Sequence, residues 1–287
     1  MDFVAASCKK IDPMASATQH DTVPMAVIDS GLGGLSVVRA LRAQQPDISL
    51  IYVADTAVFP YGNRDAPTIA KRAVMLVQAL QEQHAVRTVV LACNTLSTLA
   101  LAELRTRFSQ LAFVGTVPAI KVAAAQSRSR RFTLLATPNT AQSSYSAALI
   151  AEFAADCVVD GYGAPNLARW CEQALLGEPV DDPAWRAELA PAFQNDARGT
   201  TDAVVLGCTH YPLLLPTLET LAPWPVRWID SSAAIARQAL RQPTMEGSSR
   251  VYVTAPADMS RYQPLFTREG FAWTETLAVA APRATSA

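Results

Sequence analysis

Residues 89–95 read VVLACNT and residues 204–210 read VVLGCTH. Each is a short Val/Leu run that ends on a cysteine and small polar residues. Runs of this length and composition read as strands buried on both faces, as in parallel sheets covered by helices. The same rhythm extends in both directions. MAVID (25–29), SLIYVAD (49–55), RTVVLAC (87–93), AFVGTV (112–117) and FTLLAT (132–137) read as strands, as do CVVDGY (157–162), AVVLGC (203–208), VRWID (226–230) and RVYVTA (250–255). Helical periodicity fills the intervals 67–83, 95–108, 118–126, 139–154, 165–176, 183–195, 212–221, 231–241 and 256–267.

Alternating strands and helices predict an α/β fold of two doubly wound lobes with mainly parallel sheets. A length of 287 residues agrees with about two domains of ~150 residues each. VIDS (27–30) returns as WIDSS (228–232), a second internal echo at a strand end. The span from Asp29 to Asp230 differs from that between Cys93 and Cys208, so a simple tandem duplication does not explain both. The expected organisation is a discontinuous first lobe, 25–118 plus 227–268, around a second lobe, 119–226. Residues 1–24 and 269–287 then read as tails. VAASC (4–8) lacks the basic start and apolar segment of an export signal, and Met14 and Met25 are alternative starts.

Half the residues are hydrophobic and 17% are charged, which argues against global disorder. The net charge of −1 supplies no broad basic field for nucleic acid or anionic lipid. Arg128, Arg130 and Arg131 read as a solvated loop. No apolar stretch reaches the ~18 residues of a membrane span, so a cytoplasmic protein is expected. The five cysteines are odd in number and scattered, with no CxxC pair. That excludes a disulfide framework and a structural zinc site from the leading readings.

Cys93 and Cys208 each stand between a strand end and a helix start, where a helix N-terminus favours the thiolate. Their neighbours Asn94, Thr95, Thr209 and His210 can hydrogen-bond an anionic ligand. Cys157 and Cys171 read as packing residues. Asp29 and Ser30 end the first strand before SGLGG; Asp29 reads either as a helix cap or as a carboxylate in a ligand crevice. SGLGG has neither GxGxxG spacing nor a P-loop lysine. Pro60, Tyr61 and Gly62, in FPYG, and Thr137 and Thr140, in ATPNT, fall at the same predicted sheet edge. The residues alone leave open a catalyst, a two-lobed amino-acid-binding protein without catalysis, and a redox or zinc protein.

DSGLGGLSV (29–37), ADTAVFPYG (54–62), ACNT (92–95), ATPNT (136–140) and GCTHYPLL (207–214) resemble, in order and spacing, the signature blocks of the glutamate racemase family. That resemblance implies pseudo-symmetric lobes with glutamate bound in the cleft between them. It implies α-proton transfer without a cofactor or metal, with Cys93 serving the D-isomer and Cys208 the L-isomer. Asp29 would assist Cys93, and His210 would assist Cys208. Ser30, Pro60, Tyr61, Gly62, Asn94, Thr95, Thr137, Thr140 and Thr209 match ligand-binding positions. Glu172 corresponds to an acidic residue on a helix between the lobes, although the preceding GYGAPNLARW departs from the family's pattern, as does Leu96 after ACNT. The resemblance also implies a homodimer and D-glutamate supply for peptidoglycan. An aspartate racemase is the related alternative.

Overall fold

The computed structural model describes residues 23–279. Cys8, Met14 and all but Val23 and Pro24 of the expected N-terminal tail lie outside them, as do residues 280–287. In chain order the first elements are β1 (Met25–Asp29), α1 (Leu35–Gln44), β2 (Leu50–Ala54), α2 (Ala66–His84), β3 (Thr88–Leu91), α3 (Asn94–Arg107), β4 (Ala112–Gly115) and α4 (Ile120–Gln126). There follow β5 (Arg131–Ala136), α5 (Pro138–Ala141), α6 (Ser144–Phe153), β6 (Val158–Gly163), α7 (Leu167–Leu175) and α8 (Asp182–Leu189). The last are β7 (Asn195–Asp196), β8 (Gly199–Thr200), β9 (Ala203–Gly207), α9 (Leu215–Leu221), β10 (Arg227–Ile229), α10 (Ser232–Ala239), β11 (Arg250–Val253), α11 (Met259–Arg268) and β12 (Trp273–Thr276).

Two parallel sheets organise the molecule. The first runs β12-β11-β2-β1-β3-β4 and the second β10-β9-β5-β6; β7 and β8 form a small antiparallel hairpin. Every strand pair within the two larger sheets is parallel. Ala26 and Ile28 of β1 pack among residues of α2 and α3, whereas Met25 and Val27 face α1, α10 and α11. In the second sheet Val204 and Leu206 face α7, α8 and α9, and Val205 faces α4 and α6. Strands buried on both faces explain the unbroken Val/Leu runs, each fully buried side chain contributing on the order of 1.5–3 kcal/mol.

In the first sheet the chain passes from β1 to β2 on one side and later to β3 on the other. In the second sheet β6 lies on one side of β5 and β9 on the other. The carboxyl ends of β1/β3 and β5/β9 are therefore topological switch points, the places where such sheets bind ligands. Cys93 follows β3 and Cys208 follows β9, so both thiols stand at a switch point.

Several expectations change. β10 pairs with β9, placing 227–229 in the second sheet; its resemblance to β1 lies in the strand end alone. The return to the first sheet follows it, with α10 packed beside α1. Residues 273–276 form an edge strand paired with β11, where a tail was expected from 269. The helix expected over 139–154 breaks because the Ser143 side chain accepts from Ser146 N–H and starts a new helix. The helix expected over 183–195 stops at Leu189, and the hairpin follows. No helix among the described residues is long and apolar enough to cross a membrane.

Arg131 is the sharpest correction, because it lies on β5 and is fully buried. It donates to Asp160 (2.8 Å), Asp196 (2.6 Å) and the Gly199 carbonyl (2.9 Å), so one guanidinium ties β6 and the hairpin to β5. Replacing Arg131 by Met should destabilise the protein by about 2–3 kcal/mol, because two carboxylates lose their shared cation. Urea unfolding tests this: a lower midpoint at unchanged slope is expected, and an unchanged midpoint contradicts it.

Candidate active site

The site forms where the two switch points face each other. Asp29, at the end of β1, is fully buried. It accepts from Gly31 N–H (2.7 Å) and, from the other lobe, the Thr209 hydroxyl (3.2 Å). Burial raises its carboxyl above the ordinary range, against the opposing pull of His210. Cys93 stands at the N-cap position of α3. Burial pushes its thiol well up and the charge of Asp29 adds to this, outweighing the backbone N–H groups of Leu96 and Thr95. The helix start thus does not lower the Cys93 thiol, as its position in the sequence had suggested, because burial outweighs it.

The FPYG loop is anchored from behind. Tyr61 donates its phenol to Asp55 (2.5 Å), which also accepts from Arg72 (2.6 Å) and Thr254 (2.6 Å). From the second lobe, Asn139 donates to the carbonyls of Tyr61 (3.4 Å) and Arg64 (2.8 Å). Thr95 and Thr137 share a hydrogen bond of 2.8 Å across the cleft, and Thr137 donates onward to Thr140 (3.1 Å).

On the second side, His210 Nδ1 lies 3.8 Å from Cys208 Sγ, and His210 Nε2 donates to Glu172 Oε2 at 2.6 Å. Burial alone would push the imidazole down. The hydrogen bonds to Cys208 and Glu172, and the charges of Glu172 and Asp29, outweigh it and hold His210 well above the ordinary histidine range. Glu172, on α7, also accepts from Leu32 N–H (2.8 Å) and Tyr262 (2.7 Å). The second lobe's carboxylate therefore grips the Gly-rich turn of the first. A Cβ at Gly31 would stand 2.5 Å from Glu172 Oε1, so glycine is what admits the carboxylate.

Cys93, Cys208, His210, Ser30, Pro60, Tyr61, Gly62, Asn94, Thr95 and Thr137 all line one cavity of about 10 Å³ between the lobes. Space of this kind is about what one water needs and far less than a glutamate would take, so the two lobes stand close together here. Asp29, Thr140, Glu172 and Thr209 stand directly behind that lining. Phe59 and Ala168 also line it, although the sequence reading did not single them out. Phe59 belongs to the same FPYG block as the expected Pro60, Tyr61 and Gly62; its ring centroid is 5.7 Å from that of His210. Ala168 has no signal that could have marked it. Cys171 is fully buried on α7 and Cys157 is half-buried beside β6, in keeping with packing roles. Among the described residues, no three His, Cys, Asp or Glu side chains are grouped to hold a metal ion.

One lining atom lacks a partner: the buried Asn94 side-chain nitrogen makes no hydrogen bond. A buried donor left unpaired costs ~1–3 kcal/mol, so a cavity-facing amide of this kind suits an anionic ligand. The arrangement brings two thiols to one small cavity, with His210 beside Cys208 and the charge of Asp29 acting on Cys93.

Comparison with known proteins agrees with the two-sheet fold. Residues 35–239 match the family described as Asp/Glu/Hydantoin racemase. A glutamate racemase of Agrobacterium fabrum is 47% identical over 216 residues, covering 75% of this chain and 79% of the relative. One of Sinorhizobium medicae is 46% identical over 222 residues, covering 77% and 82%. Among solved structures, Escherichia coli glutamate racemase in complex with L-glutamate and the activator UDP-MurNAc-Ala superposes with a TM-score of 0.83 at 37% identity, covering 90% of this chain and 100% of that one. The Thermus thermophilus glutamate racemase bound to β-chloro-D-alanine gives 0.71 at 27% identity, covering 90% and 98%.

Proposed function

The chain belongs to the Asp/Glu/hydantoin racemase family, and from that premise we propose that it interconverts L- and D-glutamate by passing the α-proton between Cys93 and Cys208. The observation that carries this reading is the placement of the two thiols at matched switch points, facing one cavity from opposite lobes.

In the L-to-D direction a Cys208 thiolate takes the α-proton and becomes a thiol. The Cys93 thiol then gives its proton to the opposite face and is left as thiolate. His210, charged and held by Glu172, offsets the negative charge on Cys208 before transfer. Asp29, whose buried carboxyl holds a proton more readily than an exposed one, serves the same purpose at Cys93. The α-proton of an amino acid is a very weak acid, so the carbanion needs fixed donors in a dry cleft. Asn94, Ser30 and Thr95 are the lining groups suited to the substrate's carboxylates. Because the closed cavity cannot admit glutamate, substrate enters when the lobes part. The reading extends to a cytoplasmic homodimer that supplies D-glutamate for peptidoglycan.

Proton NMR of L-glutamate in deuterated buffer with metal-free, pyridoxal-free protein, coupled to a chiral assay, tests the proposal. The expected result is loss of the α-proton signal as D-glutamate appears, with and without UDP-MurNAc-Ala. Exchange of aspartate but not glutamate, or of neither in either condition, would overturn it.

A further inference from the structure

Tyr262 lies far from the signature blocks, yet its hydroxyl ends in the same network. It sits on α11 with Leu265 and Phe266 buried beside it, and its ring stacks on Phe266 with centroids 6.2 Å apart. That packing aims the phenol at Glu172 Oε1, 2.7 Å away. Glu172 is almost fully buried, and its other oxygen serves Leu32 N–H and His210 Nε2. Each carboxylate oxygen therefore has its own donors, which fixes the plane of the group. On the preceding residue, Arg261 pairs with Glu178 just beyond α7, a second tie between the same two segments.

We propose that Tyr262 is a positioning residue for Cys208: it orients the Glu172 carboxylate, which in turn orients His210 against the thiol. This rests on the proposed two-thiol racemisation. Without the phenol, Glu172 Oε1 is left buried and unsatisfied, and the carboxylate can turn to another donor. His210 then loses the geometry that presents Nδ1–H to Cys208 Sγ. Supporting groups of this kind act through orientation, much as outer-shell partners do for metal ligands. Tyr262 is a constant donor: burial, with the charge of Glu172 adding to it, raises its phenol far above the ordinary range, so it keeps its proton at every working pH. Cys93 shares none of these contacts, so the effect belongs to one half of the reaction.

The test compares the full-length protein with Y262F, E172Q and the double variant, using 2-deuterated L- and D-glutamate. Both substitutions nearly conserve side-chain volume, so both variants should keep the fold, which thermal unfolding checks. Y262F should lower kcat/KM by about tenfold, the effect of losing one hydrogen bond to a charged group. Its deuterium isotope effect should rise for L-glutamate, whose proton Cys208 removes, and fall or stay level for D-glutamate. A purely structural role would move neither isotope effect. Adding Y262F to E172Q should cost less than about twofold more, because Tyr262 acts through the Glu172 carboxylate that E172Q has already replaced. Equal isotope effects in the two directions, or an additive loss in the double variant, would overturn the proposal. An unaltered protein that does not racemise glutamate would remove its premise as well, an outcome separate from a silent Y262F.

Discussion

Replacing either Cys93 or Cys208 by serine should lower kcat/KM for racemisation by about a thousandfold or more in both directions. A serine hydroxyl is a far weaker acid than a thiol, so it neither holds the charge that removes the α-proton nor returns a proton readily. Positioned acid–base groups contribute about 10²–10⁴-fold each, which sets the expected size. The loss must be symmetric, because the enantiomers have equal free energy in solution and the ratio of their kcat/KM values is fixed. The two variants should nevertheless differ. With Cys208 gone, Cys93 still faces the α-carbon of D-glutamate and can exchange its proton with solvent without inversion; C93S should do the same with L-glutamate. Chiral chromatography together with deuterium incorporation separates these outcomes. Serine at position 93 also suits the N-cap of α3, so C93S should keep its fold. Racemisation by either variant within about tenfold of the unaltered rate would rule out the two-thiol mechanism.

What the sequence discloses follows from how local the cause is. The Val/Leu runs mark strands because both faces of each sheet are covered, and that burial leaves its trace in consecutive residues. Cys93 and Cys208 stand out because the strand end that places a thiol in a crevice is itself a short motif. Residues that act across long intervals leave no such trace. Glu172 was visible only through family resemblance, since its partners Leu32, His210 and Tyr262 come from three separate segments. Tyr262 had no signal at all. Arg131 looked solvated beside Arg128 and Arg130, because the aspartates that neutralise it lie on β6 and the hairpin. The edge strand β12 is short, and WTET has no apolar run, so pairing with β11 rather than composition defines it. The directions of the thiol and carboxyl shifts were illegible for the same reason: a helix start is local, whereas burial between lobes is not.

Gly33→Ala should lower kcat/KM by about a hundredfold or more while leaving the unfolding midpoint nearly unchanged. Gly33 is not among the glycines in the left-handed region, so its backbone accepts alanine without strain. The obstacle lies across the cleft. A Cβ there would stand 2.3 Å from His210 Nδ1 and 2.7 Å from Thr209 Oγ1. Neither group can yield cheaply. Glu172 holds the far nitrogen of His210 and Phe59 lies against the ring, while the Thr209 hydroxyl is committed to Asp29. The one methyl group therefore either turns His210 away from Cys208 or keeps the lobes apart. Each outcome displaces an acid–base group by a sizeable fraction of an ångström, enough to cost about a hundredfold. Stability is insensitive because the methyl group disturbs contacts across the cleft, while the packing within each sheet's helices is untouched. A pair of measurements decides it: initial rates in both directions, and thermal unfolding without ligand. G33A with more than about a third of the unaltered activity would show that the cleft does not close as tightly as the His210–Gly33 contact demands. A large drop in the midpoint would instead place the role of Gly33 in folding, and the link between lobe closure and proton transfer would have to rest on other residues.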